Sequence, residues 1–478
     1  MTGRGRWGRG IAWVACVALW ALVGGGLRPA TAGDDGVAAA RRMAVVKLEA
    51  LASSCDGQRN YGTRDVVFER ILRLEPDHAR ARAALKYTRE TPSDPWARKK
   101  PYARPADWNP GLAAQAAGKV APALAGYRDA VLASVDEPDV PPARREAALE
   151  TLVDLLPDDE GLHERRGDVR DGARWVLPET LTARKLRAAL AALAATAKAE
   201  MPPLADTVGS QPTWRTALSA GQLRFWSTQS AERSYDALTD CLVARAVTRH
   251  AVGLPADRLP NVEQIYVVVG LAAAIEVINL NVHDPELRAA KLAEAPQVAA
   301  VWLRGAFLDY DLYVDTCRAR CARAVSNGEL KDRFTNHEGM FLAECIGQRL
   351  VRLSLGVHSP SVIIVKGTEL PGSSGVQPGA YPRDPKAWLP EAAELLAKDG
   401  ERLLTTVLTA RLNAVGVEHA LVGYALAAYL LEGRPDLFER FVDTLERTSD
   451  AAKTVAEVLS GDLPSLVTRL RRFCLENE

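Results

Sequence analysis

Residues 342–348 read Leu-Ala-Glu-Cys-Ile-Gly-Gln, and this stretch decides how the second half of the chain folds. Thr335 and Asn336 are favourable helix N-cap residues and Gly356 is a typical stop signal, so the sequence predicts a helix that ends near Leu355. Residues four apart share one face of such a helix. The alanine and the glycine of the stretch are spaced in this way, and their small size allows another helix to pack closely.

A second motif, Ala-Trp-Leu-Pro-Glu-Ala at residues 387–392, follows the first. Together the two motifs resemble the active site of gluzincin metallopeptidases, in which His-Glu-x-x-His-Gln on one helix precedes Trp-Leu-x-Glu-Gly on the next. In that arrangement, two histidines on one helical face and a third carboxylate hold a zinc ion, and the intervening glutamate polarises the bound water.

The resemblance implies a vestigial site, because Ala343 and Gly347 stand where the two histidines belong. Glu344 then matches the catalytic glutamate, Glu391 matches the third ligand, and Gln348 matches the glutamine after the second histidine. Alanine and glycine have no side-chain atom that binds a metal. We therefore expect no catalytic residue among these five positions, and neither a metal nor another cofactor.

The order of predicted elements extends the resemblance to the peptidase-MA-like (gluzincin) domains of exported bacterial proteins, from about Gln222 to Glu478. A strand is predicted at 223–228, a helix at 231–250, and a second strand at 265–269, where a short apolar β-branched run indicates burial on both faces. Helices that resemble the closing helices of such domains are predicted at 424–431, 437–441 and 461–473.

Two other interpretations of these motifs remain open. In the first, the match is accidental and the small residues serve only helix packing. In the second, the chain is a zinc metallopeptidase with nonstandard ligands, because His337 begins another His-Glu pattern seven residues before Glu344. The metal ligands in that case are His337, Glu344 and Glu391, with His358 or His419 as further candidates.

The first 32 residues have the features of a secretory signal peptide. Three arginines precede an apolar stretch at residues 11–23, and Ala30-Thr31-Ala32 provides the small-x-small pattern of a cleavage site before Gly33. The apolar stretch is shorter than the roughly 20 residues of a membrane-spanning helix. We expect an exported protein, periplasmic or extracellular, with no membrane span after cleavage. The alternative is an uncleaved N-terminal anchor.

The composition of the chain limits which classes of molecule we expect as its binding partners. The chain has 478 residues and is 47% hydrophobic, which is enough for a sizeable core in two or three domains. It carries 60 basic and 60 acidic residues, and loss of the leader leaves it slightly acidic. No basic tract contains interleaved aromatic residues, so nucleic acid is not an expected partner. The expected partner is an unidentified protein or peptide.

Six cysteines follow the predicted cleavage site. In an exported protein they either oxidise or remain as isolated buried thiols, and sequence alone does not decide between these states. Cys317 and Cys321 lie four residues apart on a predicted helix, a spacing that suits two soft metal ligands. No Cys-x-x-Cys motif or histidine pair nearby completes the set.

The N-terminal half contains two imperfect repeats, at about residues 72–96 and 152–175. Each predicts a helix that ends near a Pro-Asp turn, a second helix after the turn, and a tryptophan beyond it. The repeats resemble tetratricopeptide-like helical pairs, although two units are fewer than a free-standing solenoid needs. Residues 91–110 are rich in proline and charge, which predicts an extended surface connector. A strong helix is predicted at 183–200.

These predictions combine into an α+β, predominantly helical protein. We expect a signal peptide at 1–32, a helical, tetratricopeptide-like region at 33–205, and a degenerate gluzincin-like domain with a small sheet at 214–478. The expected function is that of a pseudoenzyme, which binds or scaffolds other proteins in the cell envelope.

Overall fold

A computed structural model describes most of the chain, which is mainly helical with a small mixed sheet. The predicted class is confirmed at this level. The chain divides into two compact units, Met1–Asp168 and Val169–Glu478. The structure describes residues 32–89, 91, 94–98, 102–201, 214–220, 222–255, 261–297, 300–303, 305–309, 314–330, 340–357, 385–409, 416–448, 450–459 and 461–477.

The described part of the first unit is built mainly from helices. Buried side chains such as Leu48, Phe68 and Leu124 form its core, where α1 (Ala32–Gly57) packs against α2 (Tyr61–Leu74) and α5 (Val120–Val135). The side chain of Asn109 caps α4 (Pro110–Ala117) by accepting a hydrogen bond from the Leu112 backbone N–H. The helices are α1 (Ala32–Gly57), α2 (Tyr61–Leu74), α3 (Ala79–Ala84), α4 (Pro110–Ala117), α5 (Val120–Val135), α6 (Pro142–Leu155) and α7 (Glu160–Arg166).

Two helical pairs occur where the sequence predicts them, as α2 with α3 and α6 with α7. The connector between the pairs is attached to the first pair, because Asp107 caps the first turn of α2. Its carboxylate accepts one hydrogen bond from the Thr63 backbone N–H at 2.9 Å and one from the Thr63 hydroxyl at 2.7 Å. Gly62 permits this approach, since a Cβ there would lie 2.6 Å from the Pro105 carbonyl oxygen.

The second unit combines strands and helices. Its strands are β1 (Val169–Asp171), β2 (Arg174–Val176), β3 (Thr216–Ala220), β4 (Leu223–Ser227), β5 (Gln264–Val267), β6 (Ala300–Leu303) and β7 (Ala306–Asp309). Its helices are α8 (Pro178–Ala199), α9 (Ala231–Ala251), α10 (Leu271–Asn281), α11 (Pro285–Glu294), α12 (Val314–Leu330), α13 (Met340–Leu355), α14 (Trp388–Thr409), α15 (Val417–Ala428), α16 (Pro435–Thr448), α17 (Ala451–Leu459) and α18 (Leu463–Glu476). A π-helical turn, Tyr429–Gly433, follows α15.

The strands form a short β1–β2 hairpin and a five-stranded sheet with the order β3-β4-β5-β7-β6. The inner strands β4, β5 and β7 are parallel, and each edge strand is antiparallel to its neighbour. Alternate residues of β5 point to opposite faces. Ile265 and Val267 pack in the core that contains Phe225 and Phe307, whereas Tyr266 packs in a second core. The predicted strand is therefore buried on both faces.

An ion network centred on the fully buried Glu432 joins the helices of the second unit. Glu432, in the π-helical turn, contacts the guanidinium groups of Arg349 on α13 and Arg187 on α8. Arg349 also donates a hydrogen bond to the Tyr424 hydroxyl of α15 at 2.6 Å. Burial alone raises the pKa of Glu432, but the two arginines outweigh it and lower that pKa below the ordinary glutamate value.

The boundary between the units differs from the predicted one. We expected the helical region to extend to residue 205, but the division lies between Asp168 and Val169. The reason is that α8 packs against α9 and against the π-helical turn, so it belongs to the second unit. Residues 202–213, where the sequence predicts the boundary, lie outside the described residues. No described helix is long and apolar enough to span a membrane.

Replacing Glu432 by glutamine is expected to destabilise the protein by about 3–5 kcal/mol, because the buried Arg349 guanidinium and the partly buried Arg187 guanidinium lose their countercharge. Urea unfolding at neutral pH measures this loss. The exposed Glu401 provides a matched control, since Glu401→Gln removes the same charge from the surface.

The pH dependence provides a second measurement on the same pair of variants. A lowered pKa in the folded state makes Glu432 stabilising above its unfolded pKa, and that contribution is lost as the pH falls through the folded pKa. Stability of Glu432→Gln should therefore fall less steeply in acid than that of the wild type. Equal costs for Glu432→Gln and Glu401→Gln would contradict a structural role for the network.

Candidate functional site

The helix that carries the first motif is α13, which ends at Leu355 before Gly356, as predicted. Gly356 has φ +70°, a left-handed conformation that favours glycine. Phe341 and Ile346 are fully buried in the helical core of the second unit. Because these apolar residues fix the rotation of α13, they also determine where the polar residues of the motif lie.

Glu344 faces α12. The Asn327 side-chain amide donates a hydrogen bond to Glu344 Oε1 at 2.9 Å, and Arg323 Nε lies 3.8 Å from Glu344 Oε2. The Glu344 side chain is 22% exposed. It is therefore held by an amide and a nearby guanidinium, both from α12, as part of the contact between two helices.

Gly347 is small because Asn327 occupies the space beside it. A Cβ at Gly347 would lie 1.9 Å from Asn327 Oδ1, far inside normal contact distance. Ala343, at the other predicted histidine position, is partly buried and packs against the helical core. The space that imidazole rings occupy in a gluzincin site is, at position 347, filled by the Asn327 side chain.

Several buried polar atoms on α12 and α13 have no hydrogen-bond partner in the described part of the chain. They belong to three side chains: Asn327 Oδ1, Glu344 Oε2, and both Oε1 and Nε2 of Gln348. Gln348 is completely buried. Buried polar atoms are normally paired with protein or ordered water, so such a group indicates a place for a polar ligand or for water.

The two prominent side chains of the second motif lie in different environments. Trp388 is buried and packs edge-on against Tyr424, with the ring centroids 5.1 Å apart. Glu391 is exposed. Its pKa is raised mainly by partial desolvation and, to a smaller extent, by the negative charge of the neighbouring Glu394. Trp388 therefore serves the core, while Glu391 lies on the surface of α14.

The remaining candidate ligands do not form a metal centre within the described residues. His337 and His358 lie outside them. His419 Nδ1 accepts a hydrogen bond from the Gly416 backbone N–H at 3.0 Å, and so caps α15. Burial lowers the pKa of His419. Neither Glu344 nor Glu391 belongs to a cluster of three potential metal ligands in this part of the chain.

A catalytic zinc ion does not fit the described residues of the motif. Three protein ligands are needed. Position 343 is alanine, position 347 is filled by Asn327, and the exposed Glu391 shares no cluster with Glu344.

Sequence reasoning missed Asn327, which decides the chemistry of the α12–α13 seam. Its neighbours Ser326 and Gly328 form no recognised motif with it, and it lies 17 residues from Glu344 on a separate helix. Its importance comes only from the packing of α12 on α13.

Comparison of the chain with protein-family models, with curated proteins and with solved structures finds no match.

Replacing Gly347 by alanine is expected to destabilise the protein by about 1–3 kcal/mol through overpacking. The new Cβ displaces Asn327 Oδ1 and breaks the Asn327–Glu344 hydrogen bond. In an Asn327→Ala background the same substitution should cost less, because the obstructing side chain is gone. Urea unfolding of the four proteins in this cycle measures the difference.

Gly126 provides the control for this cycle. It lies on α5, and a Cβ there would meet no atom within 4 Å, so Gly126→Ala should leave stability unchanged or raise it slightly. If Gly347→Ala lowers the free energy of unfolding equally in the wild type and in Asn327→Ala, the contact with Asn327 does not limit the size of residue 347.

Proposed function

We propose that this chain is an exported, non-catalytic protein of the cell envelope that binds a peptide or protein segment at the α12–α13 seam. The observation that carries the proposal is a set of buried polar atoms on Asn327, Glu344 and Gln348 that have no hydrogen-bond partner among the described residues; Glu344 Oε2 also lies 3.8 Å from Arg323 Nε. Each such atom costs about 1–3 kcal/mol unless it is satisfied. A ligand that supplies the missing hydrogen bonds would recover part of this cost on binding.

The chemistry of these atoms favours a ligand rich in N–H donors. Asn327 Oδ1, Glu344 Oε2 and Gln348 Oε1 are acceptors, and Gln348 Nε2 is the one donor among them. An extended peptide presents backbone N–H and C=O groups that match a glutamine amide in both directions. Glu344, which is partly exposed, provides the point where such a segment reaches the seam from solvent.

The absence of catalysis follows from the side chains available. Gluzincin hydrolysis needs a water molecule activated by a metal and a glutamate. The resemblance to gluzincin domains assigns the glutamate role to Glu344, which is instead held by Asn327 and lies near Arg323. Without imidazole ligands at positions 343 and 347, this glutamate has no metal-bound water to polarise.

Export is proposed from the sequence. The basic and apolar leader with its small-x-small pattern before Gly33 supports secretion, and the slightly acidic charge of the remaining chain suits a protein partner more than an anionic surface.

The first test of the proposal is enzymatic. The full chain, purified without chelators, should not hydrolyse an unstructured protein substrate above background, and neither added chelator nor Glu344→Gln should change this. Any metal that the protein retains should also remain after Glu391→Gln. Chelator-sensitive cleavage that disappears in Glu344→Gln would instead establish a metallopeptidase with nonstandard ligands.

The second test measures binding. The labelled full chain is applied to an array of unstructured peptides, and we expect it to select a subset of them. Gln348→Met removes both unpaired atoms while keeping side-chain volume, so it should abolish this selection without lowering the melting temperature. The exposed Gln222 provides the control, and Gln222→Met should bind as the wild type does. If Gln348→Met still selects the same peptides, the binding surface lies elsewhere. If the wild type selects no peptides, the proposal is wrong.

A further inference from the structure

A second group of polar side chains lies at the other end of α12, away from Asn327 along the helix. Cys317 and Cys321 are on this helix, and Asp309 is the last residue of β7. The two sulfur atoms and a carboxylate oxygen all lie within 4.8 Å of one another, and all three residues are buried. We propose that this group is a structural zinc site that ties the end of β7 to α12.

The separation of the sulfur atoms suits a shared metal ion. Cys317 Sγ and Cys321 Sγ are 3.9 Å apart. Two thiolates on a tetrahedral zinc ion, each about 2.3 Å from the metal, are roughly 3.8 Å apart. The helix therefore already presents the two sulfurs at the required spacing. A disulfide would instead need the sulfurs to approach to about 2.05 Å.

The fold holds the third ligand in place. Asp309 lies at the end of a strand that pairs with β5 on one side and β6 on the other. Arg320 Nε donates a hydrogen bond to Asp309 Oδ2 at 2.7 Å, and its Nη2 donates one to Oδ1 at 3.0 Å. A carboxylate retains further lone pairs for a metal after two such bonds. Outer hydrogen bonds of this kind orient the carboxylates that bind metals.

The charges of the group balance when zinc is bound. Two thiolates and the Asp309 carboxylate carry three negative charges, and zinc with the Arg320 guanidinium carries three positive charges. A neutral total matters because an uncompensated charge is costly in a buried site. Arg320 and Asp309 already form an ion pair in the metal-free protein, and zinc binding would release the protons of the two thiols.

Cys241 is a further buried thiol in the same part of the core. It lies on α9, which packs against α12, and it belongs to the same buried cluster as Cys317 and Cys321. All three residues of the group are buried, so a zinc ion held by them would be closed to solvent, as structural rather than catalytic sites are. A thiolate at Cys241 would complete the coordination and add one negative charge to the balance. Zinc here would fix α12, which also carries Asn327, against the sheet.

The test uses the full chain purified under reducing conditions and supplied with zinc alone. We expect one zinc ion per chain by elemental analysis after gel filtration. Replacement by Co²⁺ should produce the charge-transfer absorption of a cobalt–thiolate complex. Cys321→Ala should abolish this absorption, and Cys317→Ser should abolish it independently, so that loss of folding in one variant does not decide the result.

Cys474 supplies the matched control, because it is equally buried but lies in the helical core. Cys474→Ala should bind one metal ion with an unchanged cobalt spectrum, and removal of zinc should lower the melting temperature of this variant and of the wild type but not of Cys321→Ala. Wild-type protein that takes up no zinc while its thiols remain reduced would overturn the proposal. So would a Cys317–Cys321 disulfide found by mass spectrometry in the protein recovered from the cell envelope.

Discussion

The contact between Glu432 and the guanidinium groups of Arg349 and Arg187 is the interaction on which the second unit depends. Burying the charges of Glu432 and Arg349 is costly, and the cost is offset only if these two groups and the partly buried Arg187 remain in contact. Each charge comes from a different element: the π-helical turn, α13 and α8. A shift of any one of them exposes the others to an unpaired buried charge, so the network sets the relative positions of these elements.

This constraint reaches the candidate site because Arg349 directly follows Gln348 and lies two residues after Gly347. With Arg349 anchored in the core, the preceding turn of α13 can only present Glu344 and Gly347 toward α12. The contact of Asn327 with both residues is a consequence. In this geometry the Asn327 side chain occupies the space beside Gly347, and several buried polar atoms of α12 and α13 have no hydrogen-bond partner among the described residues, which is why binding without catalysis suits these residues better than hydrolysis.

The second helix of the seam, α12, connects two chemically different groups. Its first half carries the thiols that face Asp309, and its second half carries Arg323 and Asn327, which face Glu344. A metal ion in the first group and a peptide at the second would therefore act on the same rigid element. Stabilising α12 against β7 would also preorganise the Asn327 side chain for binding.

Local signals in the sequence determined much of the second unit. An apolar β-branched run is enough to predict β5, because the strand is buried on both faces. Gly356 is enough to predict the end of α13, because few other residues adopt its positive φ. The small side chains at 343 and 347 correctly indicated close helix packing. These features depend on neighbours along the chain, and the sequence contains that information directly.

Tertiary structure alone decided which distant residues meet. The position of α8 in the second unit depends on the contact of Arg187 with Glu432, 245 residues apart, and no local pattern records such a pairing. The same is true of Asn327 beside Gly347, and of Asp309 beside two cysteines that the sequence left without a third ligand. Residue types and their spacing determine which helices and strands form. The chemistry of a buried site depends instead on how those elements pack. Hydrogen bonds and ion pairs act over a few ångströms in space, whatever the separation of their partners along the chain.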